Sequence, residues 1–237
     1  QVLSSEHELR DFAALASASA AVVFLATPWV IVTGSLAYDE PAVLALTAAA
    51  LLLIAGSDSI GARLGTLLGV LLGGACLAKL STGPLVVAPL IAASVVLLHR
   101  KTWKKAFALA ALLGLCALAP WLIRTFMWTG NPVFPMLTSL FGTGPWTAEQ
   151  LVIWNAAHGA HGSLADRLFL LFNEFFRQGI GPSPNPSEPW LAQWSIMPML
   201  GAGGAIALAL RPVDAIRTRR AAMLVLFIVG SLVAWLL

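Results

Sequence analysis

Charge is what this sequence has least of. Asp, Glu, Lys and Arg together make up 11% of its 237 residues, while 59% are hydrophobic. A soluble domain carries about 25% charged residues. So few charges cannot keep a chain of mean hydropathy +0.85 in water, and its apolar surface is expected to face lipid. Cysteine is nearly missing: Cys76 and Cys116 both lie inside apolar runs and read as small buried hydrophobes, which excludes a disulfide scaffold. There is no P-loop, no GxGxxG, no GxSxG and no CxxC, so soluble nucleotide chemistry has no support. The net charge of +3 is no nucleic-acid footprint, because the basic residues fall in short clusters between apolar runs. No 20–50-residue repeat and no soluble domain is visible. Residues 1–11 are polar and unlike a signal peptide, and the chain opens on Gln1 and stops inside an apolar run at Leu237; a fragment open at both ends is expected.

What the sequence has instead is apolar segments, at about 12–34, 41–56, 64–80, 84–98, 106–127, 190–210 and 221–237. They predict an all-α fold, a polytopic transmembrane helical bundle of about seven spans with a long outer-face loop. Residues 1–127 hold the first five helices, 128–189 the outer loop and 190–237 the last two. The segments 41–56 and 84–98 fall short of the roughly 20 residues a crossing needs, so extension into their flanks or a locally thin membrane is expected. Ser81-Thr82-Gly83-Pro84 reads as a turn pairing 64–80 with 84–98 in a tight hairpin.

Charge placement supports this count. With the N-terminus cytoplasmic, the inner segments hold Arg10, Arg63, Arg100, Lys101, Lys104, Lys105, Arg211, Arg217, Arg219 and Arg220, ten of the fourteen Lys and Arg. Eight of nine Trp then fall at or near the outer side, and Trp103 alone is cytoplasmic. An interface belt populates both faces, so the skew points to an outer binding surface, although the long loop accounts for part of it. Gly65, Gly69 and Gly73 form a flat stripe for close helix packing. Pro28, Pro89, Pro120 and Pro198 are expected to kink their spans.

Within the loop, Thr147 with Gln150 and Ser163 with Asp166 have capping-box spacing. The second opens an amphipathic helix, with Leu164, Leu168, Leu171, Phe172 and Phe175 opposite Asp166, Asn173, Glu174 and Arg177, suited to the membrane interface. Gly179 is its expected cap, followed by a turn-rich link over 181–186.

Ionisable groups at a membrane edge are expensive, and three outer sites draw a functional reading. Asp39 and Glu40, after Tyr38, can bind a divalent metal or accept a proton from a hydroxyl; equally, they begin a helix at Pro41 beside an interfacial Tyr38. Lys79 can neutralise a lipid phosphate or snorkel to the interface. Arg124 can hold phosphate oxygens bidentately, and as an outward Arg it breaks the charge rule. His158 and His161, without a nearby acidic partner, read as loop residues before metal ligands.

Pro120-Trp121-Leu122-Ile123-Arg124, followed by Thr129-Gly130-Asn131-Pro132-Val133-Phe134-Pro135, resembles a stretch of the GT-C class of polytopic glycosyltransferases. The nearest in look are bacterial relatives of the protein O-mannosyltransferases, aminoarabinose transferases and lipopolysaccharide-core transferases. Pro28 through Ala37-Tyr38-Asp39-Glu40 and Ala78-Lys79-Leu80-Ser81-Thr82 are similar to two more of their elements, in the same order, over about residues 25–135. The resemblance implies transfer of a sugar from a polyprenyl-phosphate donor to a lipid, glycan or protein acceptor at the periplasmic face of a bacterial inner membrane. Asp39 and Glu40 would be acidic residues of the site, Lys79 and Arg124 would meet the phosphate, and Tyr38 and Asn131 would help to bind substrate, Asn131 by shaping the loop. The principal acid of such enzymes would precede Gln1, and Pro41 and Thr125 depart from the pattern. A flippase of lipid-linked glycans and a non-catalytic membrane scaffold are the competing readings.

Overall fold

The computed structural model describes residues 2–36, 38–57, 61–97, 103–158, 162–173, 201, 203–204 and 215–236. Among these the regular structure is entirely helical, without strands. The cause is local: an apolar run satisfies its backbone within one segment only as a helix. By contacts the chain forms two compact units, Gln1–Tyr38 with Leu168–Ala207, and Asp39–Arg167 with Leu208–Leu237.

In the first unit, α1 spans Val2–Leu25 and α2 spans Pro28–Ser35. The expected first crossing at 12–34 is therefore broken in two. Pro28 disfavours helical geometry at Thr27, which is extended at φ −63° and ψ 126°. At the head of α2 the missing proline N–H costs nothing. The Thr27 hydroxyl donates to the Val23 carbonyl at 3.1 Å, partnering an end of α1.

The second unit contains α3 (Glu40–Gly56), α4 (Ala62–Ala78), α5 (Ala88–Leu97), α6 (Trp103–Thr129), α7 (Thr138–Phe141), α8 (Ala148–His158) and α10 (Ala215–Leu236). Between α8 and α10, α9 covers Leu164–Phe172 and crosses the unit boundary. α3 and α4 run antiparallel, with Glu40 beside Lys79 and Leu46 against Gly74. α4 and α6 run parallel: Gly65 meets Ala106, Gly69 meets Ala110, and Gly73 meets Gly114. A Cβ at Gly73 would lie 2.9 Å from the Gly114 Cα, so the expected glycine stripe has its partner in α6.

The hairpin expectation is corrected. The chain does turn at Leu80–Ser81, but α5 packs on α10 rather than closing on α4. Pro89 abuts Gly230, and the Ser94 hydroxyl lies 3.7 Å from the Met223 sulfur. The close face of α4 is already occupied by α6. Pro84, which donates no N–H, sits in a π-helical turn, Gly83–Val87, that resets the register leading into α5.

The expected count of seven crossings is not supported by the described residues. Among the described residues, Trp103–Thr129 alone is long and apolar enough to cross a membrane. Glu40–Gly56, Ala62–Ala78, Gly83–Val95 and Ala221–Leu236 are apolar but shorter. A 17-residue helix such as α3 or α4 is about 25 Å long against a hydrocarbon core of about 30 Å. Prolines and glycines at the helix junctions shorten these elements. The sixth segment, 190–210, lies almost wholly outside the described residues, as do His161, Gly179 and the 181–186 link.

Candidate functional site

Helix α3 begins at Glu40 because Pro41 fits its first turn. Asp39 takes the cap position, yet its carboxylate makes no capping hydrogen bond to the helix. Tyr38, in the other unit, is exposed, and its backbone N–H bonds the Thr33 carbonyl at 3.2 Å. Lys79 ends α4 in an extended conformation and starts a tight turn in which its carbonyl accepts from the Thr82 N–H at 3.0 Å. The Lys79 Nζ reaches the Glu40 Oε1 at 2.5 Å, with the two side chains 42% and 34% exposed. Glu40 Oε2 is buried, with no hydrogen-bond partner among the described residues.

Arg124 lies further along α6, exposed, with its guanidinium carbon 4.2 Å from the centre of the Trp128 ring. Trp128 is itself 71% exposed, so this is a surface cation–π contact one helical turn apart. The parallel register relates Arg124 to Lys79. Counting from the contact of Gly73 with Gly114, Lys79 is six residues on and Arg124 ten, a rise of about 9 Å and 15 Å. Both cations thus occupy one end of the unit, with Asp39 and Glu40. Arg63, Lys104 and Lys105 occupy the opposite end, where α4 and α6 begin.

A cavity of about 300 Å³ lies between α4, α5 and α6. Its walls include Leu72, Cys76, Ile91, Leu115 and Leu118, with no charged residue lining it. Cys76 lies one turn before Lys79 and Phe107 one turn after Lys104, so the apolar slot runs along α4 and α6 between the two charged ends. Sequence reading missed this slot, since its residues look like any other apolar helix positions. It also missed the Lys79–Glu40 pair, for which two antiparallel helices of equal length were the available signal.

Past α6, Gly130 turns the chain at φ +73° and Asn131 is fully buried. The Asn131 amide nitrogen donates to the carbonyls of Met136 at 2.8 Å and Gly142 at 3.4 Å, and its oxygen accepts from the Val133 N–H at 3.0 Å. The backbone N–H of Asn131 donates to the Thr129 hydroxyl at 3.1 Å. Asn131 therefore holds the loop together and presents nothing to a ligand directly. Gly144, at φ +58°, crosses so close to Thr129 and Phe134 that a Cβ would lie 3.1 Å and 3.2 Å from them. A row of rings runs away from this point, Phe134 to Trp146 at 4.7 Å, Trp146 to Trp154 at 5.3 Å and Trp154 to His158 at 3.6 Å. His158 stacks there, and no cluster of three metal-ligating side chains occurs among the described residues.

Both capping boxes form. Thr147 and Gln150 exchange hydrogen bonds at 3.0 Å and 3.2 Å. The Ser163 N–H and hydroxyl donate to Asp166 Oδ2 at 2.8 Å and 2.7 Å, which holds the Asp166 carboxyl below its ordinary value. Arg167, next on α9, donates to the Leu236 carbonyl at 2.6 Å at the C-terminal end of α10.

A family model described as a domain of unknown function (DUF8201) matches residues 7–165, about two thirds of the chain. The chain belongs to this family. The DUF8201 match takes in Tyr38, Asp39, Glu40, Lys79, Arg124 and Asn131, the apolar slot and the ring row, and leaves α10 outside it. No curated protein and no solved structure matches the chain.

Proposed function

We propose that this chain belongs to a membrane glycosyltransferase moving a sugar from a polyprenyl-phosphate donor to a lipid, glycan or protein hydroxyl. The observation that carries the reading is the shared end of the second unit: two carboxylates and two cations lie at one end of the helices that line an apolar slot. That is the complement of a donor with an apolar tail, an anionic phosphate and a reacting sugar. Neither helix N-termini nor surface charges elsewhere in the described residues offer this combination.

In this reading the tail lies along α4 and α6, and Lys79 and Arg124 neutralise the phosphate. A carboxylate at Asp39 or Glu40 takes the acceptor's hydroxyl proton as its oxygen bonds the anomeric carbon. The bond to the phosphate oxygen breaks, and its electron pair leaves as phosphate charge stabilised by the cations. The bundle sits in the bacterial inner membrane with the site end outward. The abundance of exposed large apolar side chains, among them Leu52, Val70 and Leu115, supports that setting. Helices as short as α3 and α4 then ask for a thinned bilayer or snorkelling flanks.

The test is sugar transfer by the full-length protein that contains this chain, in liposomes containing a polyprenyl-phosphate sugar. Arg124→Ala and Asp39→Asn each lower turnover by tenfold or more, and Arg124→Lys recovers little of it because ammonium lacks the bidentate fork. Unchanged turnover in both the Ala and Asn variants removes the site. Translocation of the lipid without transfer replaces the enzyme with a flippase.

A further inference from the structure

We infer that Glu40 is the resting counter-ion of Lys79, and that an anionic phosphate headgroup displaces it. The inference rests on the proposed phosphate site and adds a competitor to it. Lys79 does not wait for a ligand uncharged by its surroundings: its ammonium is already paired with Glu40, 39 residues away in the chain. Any anion that uses Lys79 has to take it from that carboxylate.

Three features make the exchange feasible. Both side chains are more than a third exposed or close to it, and pairs of that kind hold weakly in water. A phosphate offers more than a carboxylate does, because its oxygens can engage Lys79 together with Arg124 at the same end of the unit. Glu40 also has somewhere to remain charged once released. It sits in the first turn of α3, where the helix N-terminus favours an anion. Displacement therefore frees the Glu40 carboxylate, beside Asp39, only when the headgroup is in place. Phosphate arrival and availability of a proton acceptor become one event.

The experiment measures calorimetric binding of farnesyl phosphate to the full chain in detergent, with farnesol and inorganic phosphate as comparison ligands. Glu40→Gln removes the competing charge and keeps the shape. It binds farnesyl phosphate about two- to fivefold tighter than the unaltered chain, the range expected from losing an exposed ion pair, and farnesol equally well. Glu40→Asp binds no tighter than the unaltered chain, and Lys79→Ala binds at least tenfold more weakly. An equal gain with inorganic phosphate supports the exchange and assigns it to the headgroup alone. If Glu40→Gln binds equally or more weakly while Lys79→Ala still loses affinity, the counter-ion role is wrong and the phosphate site stands. If farnesyl phosphate binds no better than farnesol in any of these proteins, the phosphate site falls, and the inference with it.

Discussion

Gly69 of α4 and Ala110 of α6 touch through their backbones: a Cβ built on Gly69 would lie 2.8 Å from the Ala110 carbonyl oxygen. This contact and its neighbours on the stripe fix the parallel register that brings Lys79 and Arg124 to one end. A side chain at Gly69 meets backbone, which cannot swing aside. Gly69→Leu is therefore expected to cost about 1–3 kcal/mol or more in thermal stability of the detergent-solubilised chain. Gly56→Ala is the control, because a Cβ there meets nothing within 4 Å, and its melting temperature should barely move. Equal melting of the two variants would show that the stripe does not set the register.

The loop after α6 gives a second expectation. Asn131 spends both amide groups on the backbone around it, and Asn131→Ala strands the Met136 carbonyl and the Val133 N–H. Each stranded buried group costs about 1–3 kcal/mol. The loss should be local, read as faster amide hydrogen exchange over residues 130–147 with α4 unchanged. Exchange that rises equally throughout would instead make Asn131 a determinant of the whole unit.

These cases mark what was legible in the sequence. Gly65, Gly69 and Gly73 announced a close helix contact because glycine spacing is a local property, and the capping boxes at Thr147 and Ser163 were local too. The break at Pro28 was half legible: the proline signalled a kink, while the separation into two helices depended on Thr27 becoming extended. Lys79 and Glu40 were each singled out, but their pairing is a tertiary fact that no spacing along the chain displays. The sequence points to the wrong partner for α5 for the same reason. A turn at Ser81-Thr82-Gly83-Pro84 says where the chain reverses, and only the competition for the α4 surface decides what α5 then packs against.

The Ser163–Asp166 box carries a pH dependence with a definite sign. Its hydrogen bonds favour the ionised carboxylate, so the folded value is depressed relative to the unfolded one. The contribution to α9 is then complete above the unfolded value of about 3.9 and is lost as pH falls through the lower, folded value. Cα chemical shifts over residues 164–168 should move toward coil as acid is added in that window. Ser163→Ala removes the hydroxyl donor and should raise the midpoint of that movement. Shifts that ignore pH in this range would exclude the box as a stabiliser of α9.

The apolar slot yields the last expectation, because it separates tail from headgroup. Ala111 lines the slot on α6, and Ala111→Trp would fill part of its 300 Å³ without touching Lys79 or Arg124. Each methylene kept out of the slot forfeits about 0.8 kcal/mol of transfer free energy, so excluding two costs about tenfold in affinity. Farnesyl phosphate should accordingly bind at least tenfold more weakly to Ala111→Trp, while inorganic phosphate is held as before. The pattern is the opposite of that expected for Lys79→Ala, which weakens both ligands. A tryptophan that leaves farnesyl phosphate binding intact would mean that the prenyl chain lies elsewhere, and the slot would then be filled by protein.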